Sequence, residues 1–389
     1  MDNAKRDIVL FLGAGFSWEA GLPTMVGFGD ESRQELENLR HLDRNIRPTL
    51  VHAGEVFEHF QQFCMGAENI VSVNVDNMEE LFCVAEAMHE ANVLTVDLDN
   101  KSYSVDELLK QIRLWLWKIY HQCPPLNLKP KREIRRDGYE YLVALLGGNN
   151  LASRLTVLTT NYDLLLEYFC WEGNVRCAYP FEEGIAVPVS VLGEGKTDSY
   201  VSCECGSEQA LLCKLHGSIN FFHTNNGLGV AGDIASPGQA IGKSTAPSSP
   251  RPFIFMVDAF WGLQQQYGSD LTPAIIPPTY AKLQKDEWLR ATWASAFDAL
   301  QNARLIVFIG YSMPETDGFL KAMIRGAMAK RKGHLPPPHI VVVDPCPNVH
   351  KRYAELFSGM NVVSLKCGFT EALHTIGGLC NVLATYGSH

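Results

Sequence analysis

Residues that could bind a ligand or move a proton stand directly after five apolar segments of the chain. They are Gly13, Ala14, Gly15 and Ser17; Thr160, Asn161 and Asp163; His216; Gly310, Ser312 and Asp317; and Asp344. Glycine turns let backbone N–H groups approach a phosphate, and an acidic side chain can accept ribose hydroxyls. A histidine before a glycine is well placed to act as a base. Together, these residue types indicate a ligand that contains phosphate and ribose.

Each of these signals also has a structural explanation. Trp18 stands where the usual dinucleotide fingerprint has its third glycine, so a classical dehydrogenase is disfavoured and GAGFS alone is also explained by a tight turn. Asp163 has the alternative role of capping the helix that follows it. A lone histidine in apolar surroundings is usually a core residue. The interpretation as a site therefore depends on all five turns lying at one edge of a sheet.

The elements that would position these turns form an alternating pattern. Short β-branched segments predict buried parallel strands at 7–13, 155–160, 211–217, 304–310, 339–344 and 361–365. Helical periodicity follows at 286–302, 348–357 and 370–383. This alternation predicts an α/β fold with a Rossmann-like, doubly wound parallel sheet, in which the turns meet at the carboxyl edge.

Two stretches interrupt this pattern within what we expect to be a single domain over 1–389. Residues 27–150 predict a helical insertion with little strand character, and Ser104 and Glu107 form a capping-box pair before a helix that is apolar nearly all round. We expect that helix to be buried within the chain or against another subunit. Residues 225–252 are rich in small and polar residues and predict a flexible loop, either an active-site lid or a surface loop.

Composition limits the classes of partner. The 389 residues carry a net charge of -10, so direct binding to nucleic acid is disfavoured, although a basic cluster lies in 129–136. No apolar segment is long enough for a membrane span, and we expect a cytoplasmic protein. Cys203, Cys205 and Cys213 cluster without the four ligands of a structural zinc site, so no metal is expected.

The motifs GAGFSWEAGLP, TTNYD, KLHGS, IGYSMPETD and VVVDP occur in the order found in the SIR2 (sirtuin) superfamily. The chain resembles most closely the SIR2-like domains of bacterial antiphage defence proteins, and the resemblance covers residues 8 to about 345. The segments 77–82 and 275–279 also resemble those bacterial domains. The resemblance implies an enzyme that hydrolyses NAD to nicotinamide and ADP-ribose, depleting NAD during infection.

By the same resemblance, the residues named above divide into roles. Asn161 would position the nicotinamide ribose and a water, with Thr160 and Asp163 beside it, and His216 would be the general base. The first glycine turn, with Ser17, would hold the NAD phosphates and ribose. The adenosine half would face Gly310, Ser312, Asp317 and Asp344.

Two differences from the deacylating sirtuins indicate which molecule accepts the ADP-ribose group after nicotinamide leaves. Thr24, Met25 and Val26 follow Gly-Leu-Pro where those enzymes carry Asp-Phe-Arg, and the clustered cysteines precede His216 rather than forming a four-cysteine module after it. Water is therefore the expected acceptor. The alternatives are a protein deacylase or ADP-ribosyltransferase, and a non-catalytic nucleotide-binding scaffold.

An NAD hydrolase needs control, because unregulated activity would kill its own cell. The chain has no evident sensor domain, so we expect a separate regulatory partner. The resemblance suggests a HerA-type hexameric ATPase or, alternatively, a short Argonaute protein. We also expect a homo-oligomer, formed through the helical insertion.

Overall fold

Twelve strands and eleven helices are assigned in the part of the chain that the computed structural model describes. That part comprises residues 6–22, 24, 28–41, 48–66, 73–121, 136–147, 151–173, 175, 177–180, 209–224, 227–230, 272–276, 286–315, 317–331, 335–374, 382 and 385. The strands are β1 Ile8–Leu12, β2 Thr95–Leu98, β3 Lys101–Ser104, β4 Leu155–Thr159, β5 Cys177–Ala178, β6 Ala210–Lys214, β7 Gly217–Thr224, β8 Gly227–Val230, β9 Thr272–Ile275, β10 Leu305–Ile309, β11 His339–Val343 and β12 Val362–Leu365. The helices are α1 Ala14–Trp18, α2 Phe28–His41, α3 Pro48–Gly66, α4 Met78–Glu90, α5 Val105–His121, α6 Arg136–Gly147, α7 Leu165–Glu172, α8 Glu287–Asn302, α9 Gly318–Arg331, α10 Pro347–Leu356 and α11 Phe369–His374.

Seven of the strands form one parallel sheet in the order β12-β11-β10-β1-β4-β6-β5. From β1 the chain moves outward to β4 and β6, and it then returns to β10 on the other side of β1 and continues to β12. The order therefore reverses between β1 and β10, where such sheets bind their ligands. The predicted doubly wound parallel sheet is confirmed, and so are its six predicted strands.

Both faces of this sheet are covered, which explains why its central strands are apolar without alternation. Side chains at even positions of β1, such as Leu10, pack against α6, α7 and α11. Those at odd positions, such as Phe11, pack against α8, α9 and α10. Every residue of β1, β4 and β10 is buried, so the C-terminal turns of these strands rest on a rigid base.

A second core forms around α2, α3, α4 and α5. The predicted all-apolar helix is α5, and its Trp115 and Trp117 are completely buried inside the chain. Its capping interaction is present, since the Glu107 N–H donates to Ser104 Oγ at 3.1 Å. Because α5 packs against α3, α4 and the strands β7 and β9, its apolar surface is used within the chain and is not left for a second subunit.

The range 27–150 differs from the sequence expectation at two places. It contains an antiparallel hairpin, β2 with β3, although little strand was expected there. Helix α6 belongs to the core of the parallel sheet rather than to the helical core, because Tyr139, Leu142 and Leu146 pack among residues of β1 and α7.

Another small sheet, β8-β7-β9, is antiparallel and was not predicted. Its strand β8 lies inside the range 225–252 that was predicted as a flexible loop, and the rest of that range lies outside the described residues. Helix α11 begins near the predicted start at 370, and most of 375–383 also lies outside them. No helix among the described residues combines the length and apolarity needed to cross a membrane.

A substitution at Gly54 would test how tightly the helical core is packed. A Cβ at this position would lie 2.8 Å from Leu36 Cδ1 and 2.9 Å from the ring of Trp115, whose indole N–H is held by Ser32 Oγ at 2.7 Å. Overpacking costs about 1–3 kcal/mol and the gain in helix propensity returns about 0.5–1 kcal/mol. We expect Gly54→Ala to lower the free energy of unfolding by about 1 kcal/mol in urea denaturation.

The matched control is Gly66→Ala at the end of the same helix, where nothing lies within 4 Å of a new Cβ. This variant should be as stable as the wild type or slightly more stable. Equal stability of the two variants would show that the contact between α3 and α5 is looser than described.

Candidate active site

The two glycine turns of the switch point pack directly against each other. The Gly13 N–H donates to the Ile309 carbonyl at 3.0 Å, and the Gly15 N–H donates to the Gly310 carbonyl at 2.8 Å. A Cβ on Gly13 would lie 2.6 Å from the Gly310 carbonyl oxygen, and one on Gly15 would lie 2.7 Å from Gly310 Cα. Gly310 itself has a φ of 59°, which a side chain rarely adopts. The contact between the turns thus explains why these positions are glycine. The N–H groups of Gly13 and Gly15 already donate to carbonyls of the other turn.

Asn161 follows β4, beside the crevice that a doubly wound sheet forms beyond the carboxyl ends of its strands, and it is partly exposed. Its side-chain nitrogen donates to the Gly13 carbonyl at 2.9 Å and to Ser17 Oγ at 2.9 Å. Its backbone N–H donates to Thr159 Oγ1 at 3.0 Å, which in turn donates to the Leu12 carbonyl at 3.0 Å. Both amide hydrogens are therefore occupied, so the side-chain oxygen is the group that Asn161 offers to a ligand.

Ser17 and Asp163 lie behind Asn161 and are buried. Ser17 Oγ donates to Asp163 Oδ2 at 2.8 Å, and Asp163 Oδ1 accepts the Leu165 N–H at 2.9 Å. Asp163 therefore caps α7, as the structural alternative proposed, and it also fixes the Ser17 hydroxyl. The structure places both residues as supports for Asn161.

A buried ion pair beside these residues was missed by the sequence analysis. Lys214 Nζ lies 3.0 Å from Glu167 Oε1 and also donates to the Asp163 carbonyl, and its side chain is 2% exposed. The Tyr179 hydroxyl donates to the same Glu167 oxygen at 3.2 Å. A lysine inside an apolar strand segment, LLCKLHG, was the available signal, because buried lysines need partners.

His216 follows β6 and is 1% exposed. Its segment is held through the main chain from two sides: Trp293 Nε1 donates to the Leu215 carbonyl at 2.9 Å, and the Ile276 N–H donates to the His216 carbonyl at 2.9 Å. The next residue, Gly217, has a φ of 79°, and a side chain there would collide with Ala274. The backbone that carries the imidazole is thus held firmly, and a substrate reaches the buried ring only when neighbouring groups move.

The side chain of Asp317 lies beside His216. Its Oδ2 is 3.7 Å from His216 Nε2, and the same oxygen accepts the Tyr311 hydroxyl at 2.8 Å. On another side the ring of Tyr162 has its centroid 6.3 Å from that of His216. Asp317 is 1% exposed, so in this conformation its carboxylate is covered by neighbouring groups.

The remaining candidates lie on the β10 and β11 side. Ser312 is exposed, and the buried Met313 that follows has a φ of 53°, a backbone conformation that is costly for a residue with a side chain. Asp344 is buried, and its Oδ1 accepts the Cys346 N–H at 2.8 Å at the start of α10. Burial raises the pKa of Asp344 from its ordinary value, with that hydrogen bond and the charges of His350 and Arg352 opposing the shift.

The sequence-predicted residues thus form two layers at one edge of the sheet. The partly or fully exposed layer contains Ala14, Gly15, Thr160, Asn161, Gly310 and Ser312. The buried layer contains Gly13, Ser17, Asp163, His216, Asp317 and Asp344. The first layer is accessible to a ligand, whereas the second lies beneath it.

Metal ligands were not expected, and the cysteine cluster is only partly described. Cys213 is buried in β6 within the core, and Cys203 and Cys205 lie outside the described residues. A possible set of ligands elsewhere is Glu86, His89 and Glu90 on α4, but Glu86 already pairs with Arg113 at 2.6 Å.

Comparison with known proteins gives resemblances to solved structures only. No protein family model and no curated protein matches the sequence. One similar structure is a complex of a Sir2 homologue with NAD, at a TM-score of 0.40 and 13% identity, covering 99% of this chain and 93% of the other. Another is a mutant Sir2 homologue with ADP-ribose, at a TM-score of 0.39 and 13% identity over 99% and 94%. A third is Sir2Tm bound to a propionylated peptide, at 0.36 and 10% over 97% and 95%. The fold assignment itself rests on the strand order and registers described above.

Substitutions at Lys214 and Glu167 would show how much their ion pair contributes to the free energy of unfolding. Removing one partner of a buried pair leaves an uncompensated charge and costs about 3–5 kcal/mol, whereas replacing both with apolar residues is often far less costly. We expect Lys214→Met to lower the free energy of unfolding by about 3 kcal/mol and Lys214→Met/Glu167→Leu to recover more than half of that loss in urea denaturation.

Lys351→Met, at an exposed position of α10, is the matched control and should change stability by less than about 0.5 kcal/mol. If Lys214→Met is as stable as this control, the pair does not hold the site together.

Proposed function

We propose that this protein is an NAD hydrolase, which cleaves the bond between nicotinamide and ribose. The observation that carries the proposal is the geometry of Asn161, whose amide oxygen is left for a ligand at the switch point while His216 lies in the layer beneath. The ordered motifs that resemble the SIR2 superfamily support NAD as the substrate.

The proposed reaction uses NAD and water. The C–N bond between the ribose C1′ and the nicotinamide ring breaks, and its electron pair passes to the ring nitrogen, so that neutral nicotinamide leaves. The water oxygen bonds to C1′ and its proton is lost, which gives ADP-ribose and H⁺. Because the leaving group is neutral, the transition state resembles an oxocarbenium ion and no strong acid is required.

In this scheme the exposed layer binds and the buried layer supports. The Asn161 oxygen accepts a hydrogen bond from the nicotinamide ribose or from the attacking water, and His216 takes up the proton. Since the N–H groups of Gly13 and Gly15 already donate to the other turn, phosphate binding falls to other groups along the crevice. Ser312, which is exposed across the switch point, is our candidate for the adenosine half.

Water is the proposed acceptor rather than an acyl-lysine peptide. The basis is the sequence: Thr24, Met25 and Val26 stand where deacylating sirtuins carry Asp-Phe-Arg. Cellular depletion of NAD in antiphage defence would be the consequence of an enzyme of this kind, as in the bacterial proteins that the motifs resemble.

The burial of His216 supports an off state. A general base must come within hydrogen-bonding distance of the proton that it accepts, and a side chain that is 1% exposed cannot do so without a rearrangement. We propose that a partner or self-assembly supplies it. The resemblance favours a HerA-type ATPase as partner, with a short Argonaute protein as the alternative, and α5 does not supply the surface because it is buried within the chain.

The test is nicotinamide release from NAD, followed by chromatography, with purified protein alone and with the product of the neighbouring gene. We expect His216→Ala and Asn161→Ala each to lower the rate by about 100-fold or more, since base catalysis and polar preorganisation are each typically worth that much. His339→Ala is the matched control, because His339 is exposed at the start of β11, at the opposite edge of the sheet.

Each outcome has a distinct meaning. Release that survives in both site variants would contradict the assigned roles. If NAD binds without release under every condition, the scaffold alternative replaces the hydrolase. If ADP-ribose appears on an acyl peptide or a protein instead of free in solution, the enzyme is a deacylase or ADP-ribosyltransferase.

A further inference from the structure

Two buried side chains from distant strands meet below the crevice. His216 follows β6 and Asp317 precedes α9 in the loop after β10, and β1 and β4 lie between those strands. Three strand spacings of about 4.8 Å separate the two strand axes by roughly 14 Å. The loop after β10 therefore crosses the ends of β1 and β4 to bring Asp317 Oδ2 within 3.7 Å of His216 Nε2.

Several bonds hold the carboxylate in that place. Tyr311 donates its hydroxyl to Asp317 Oδ2, and its own carbonyl accepts the Tyr353 hydroxyl at 2.9 Å. The Asp317 N–H donates to the Pro314 carbonyl at 3.3 Å, and its carbonyl accepts the Lys321 N–H at 3.2 Å in the first turn of α9. Burial, and then the charge of Asp317, raises the pKa of Tyr311 well above its usual value, so this phenol stays a donor.

We propose that Asp317 is a positioning residue for His216, orienting the imidazole through Nε2 and stabilising the imidazolium that forms when the ring takes up a proton. This role rests on the proposed function, and it replaces the contact with adenosine that the resemblance implied. At 3.7 Å, His216 Nε2 and Asp317 Oδ2 are within ion-pair range but beyond a hydrogen bond, so the proposed role requires them to close to hydrogen-bonding distance, with the proton of the neutral ring on Nε2 and Nδ1 as the base.

The other groups around the histidine agree with this assignment. Tyr162 faces the ring and has a pKa raised by burial and then by the charge of Glu79 on α4. The same Glu79 charge also acts on Tyr311. Lys214, two residues before His216, is engaged with Glu167. Among the described residues, the ring is therefore flanked by the Asp317 carboxylate and by the neutral phenol of Tyr162, with Tyr311 bonded to the same carboxylate oxygen.

The first experiment is kinetic and uses the full chain with NAD, together with any partner that turnover requires. We expect Asp317→Asn, which keeps the shape and removes the charge, to lower kcat by about 100-fold while KM changes less than about threefold. The acidic limb of kcat/KM should move to lower pH. Tyr311→Phe, which keeps the carboxylate, should have a smaller effect on kcat. Asp298→Asn, exposed on α8, is the control and should match the wild type.

The second experiment needs no turnover. In protein labelled with ¹⁵N-histidine, the ring nitrogens report which one carries the proton. We expect the neutral His216 of the wild type to be protonated on Nε2, and the ring of Asp317→Asn to titrate at lower pH than that of the wild type. The wild-type measurement stands even if the variant does not fold.

The two experiments separate the possible failures. A wild-type proton on Nδ1, or an unchanged His216 titration in folded Asp317→Asn, would overturn the positioning role whatever the activity. If the Nε2 proton and the titration shift are both found but no condition releases nicotinamide, the pairing stands and the proposed hydrolase activity fails.

Discussion

The contact between two backbone turns at the centre of the sheet is the constraint on which the site depends. The turns after β1 and β10 approach so closely that their N–H and C=O groups bond to each other, and no side chain fits between them at Gly13, Gly15 or Gly310. The two turns therefore pack directly against each other beyond the carboxyl ends of β1 and β10. This contact also fixes the Gly13 carbonyl, to which the Asn161 amide is anchored, and so it positions that residue beside the crevice.

From that anchor the polar groups continue inward as one connected set. Asn161 donates to Ser17, Ser17 donates to Asp163, and the Asp163 carbonyl accepts from Lys214, which pairs with Glu167. Each buried polar group left without a partner would cost about 1–3 kcal/mol, so the loss of a single member destabilises the set. Loss of the Ser17 hydroxyl alone would remove one of the two acceptors of the Asn161 amide, although the Ser17 side chain is buried.

Sequence patterns were sufficient for the parallel sheet and for the clustering of its polar turns. Buried parallel strands such as Leu305–Ile309 are continuous apolar segments, and the carboxyl ends of parallel strands must share an edge. Contacts between side chains that are far apart in the sequence could not be predicted in this way. Nothing local distinguishes the Asp163 that caps a helix from one that binds a ribose, or places Asp317 against His216 across two intervening strands. The strands β2, β3, β5, β7, β8 and β9 were missed because pairing with other segments, rather than a strong local pattern, decides such strands.

The position of His216 also connects the site to the helical core. Trp117 of α5 donates its indole N–H to the Ile219 carbonyl at 3.0 Å, and Arg113 of the same helix donates to the Ile275 carbonyl at 3.3 Å. Strand β9, which contains Ile275, pairs with β7, and the adjoining Ile276 N–H holds the His216 carbonyl. A displacement of α5 therefore moves both sides of the loop that carries the histidine. A partner that prefers one position of α5 would shift the population of accessible His216, but only by its difference in affinity for the two states. In the proposed enzyme, a partner or a second copy that binds the helical core would therefore change the accessibility of His216 without contacting the site itself.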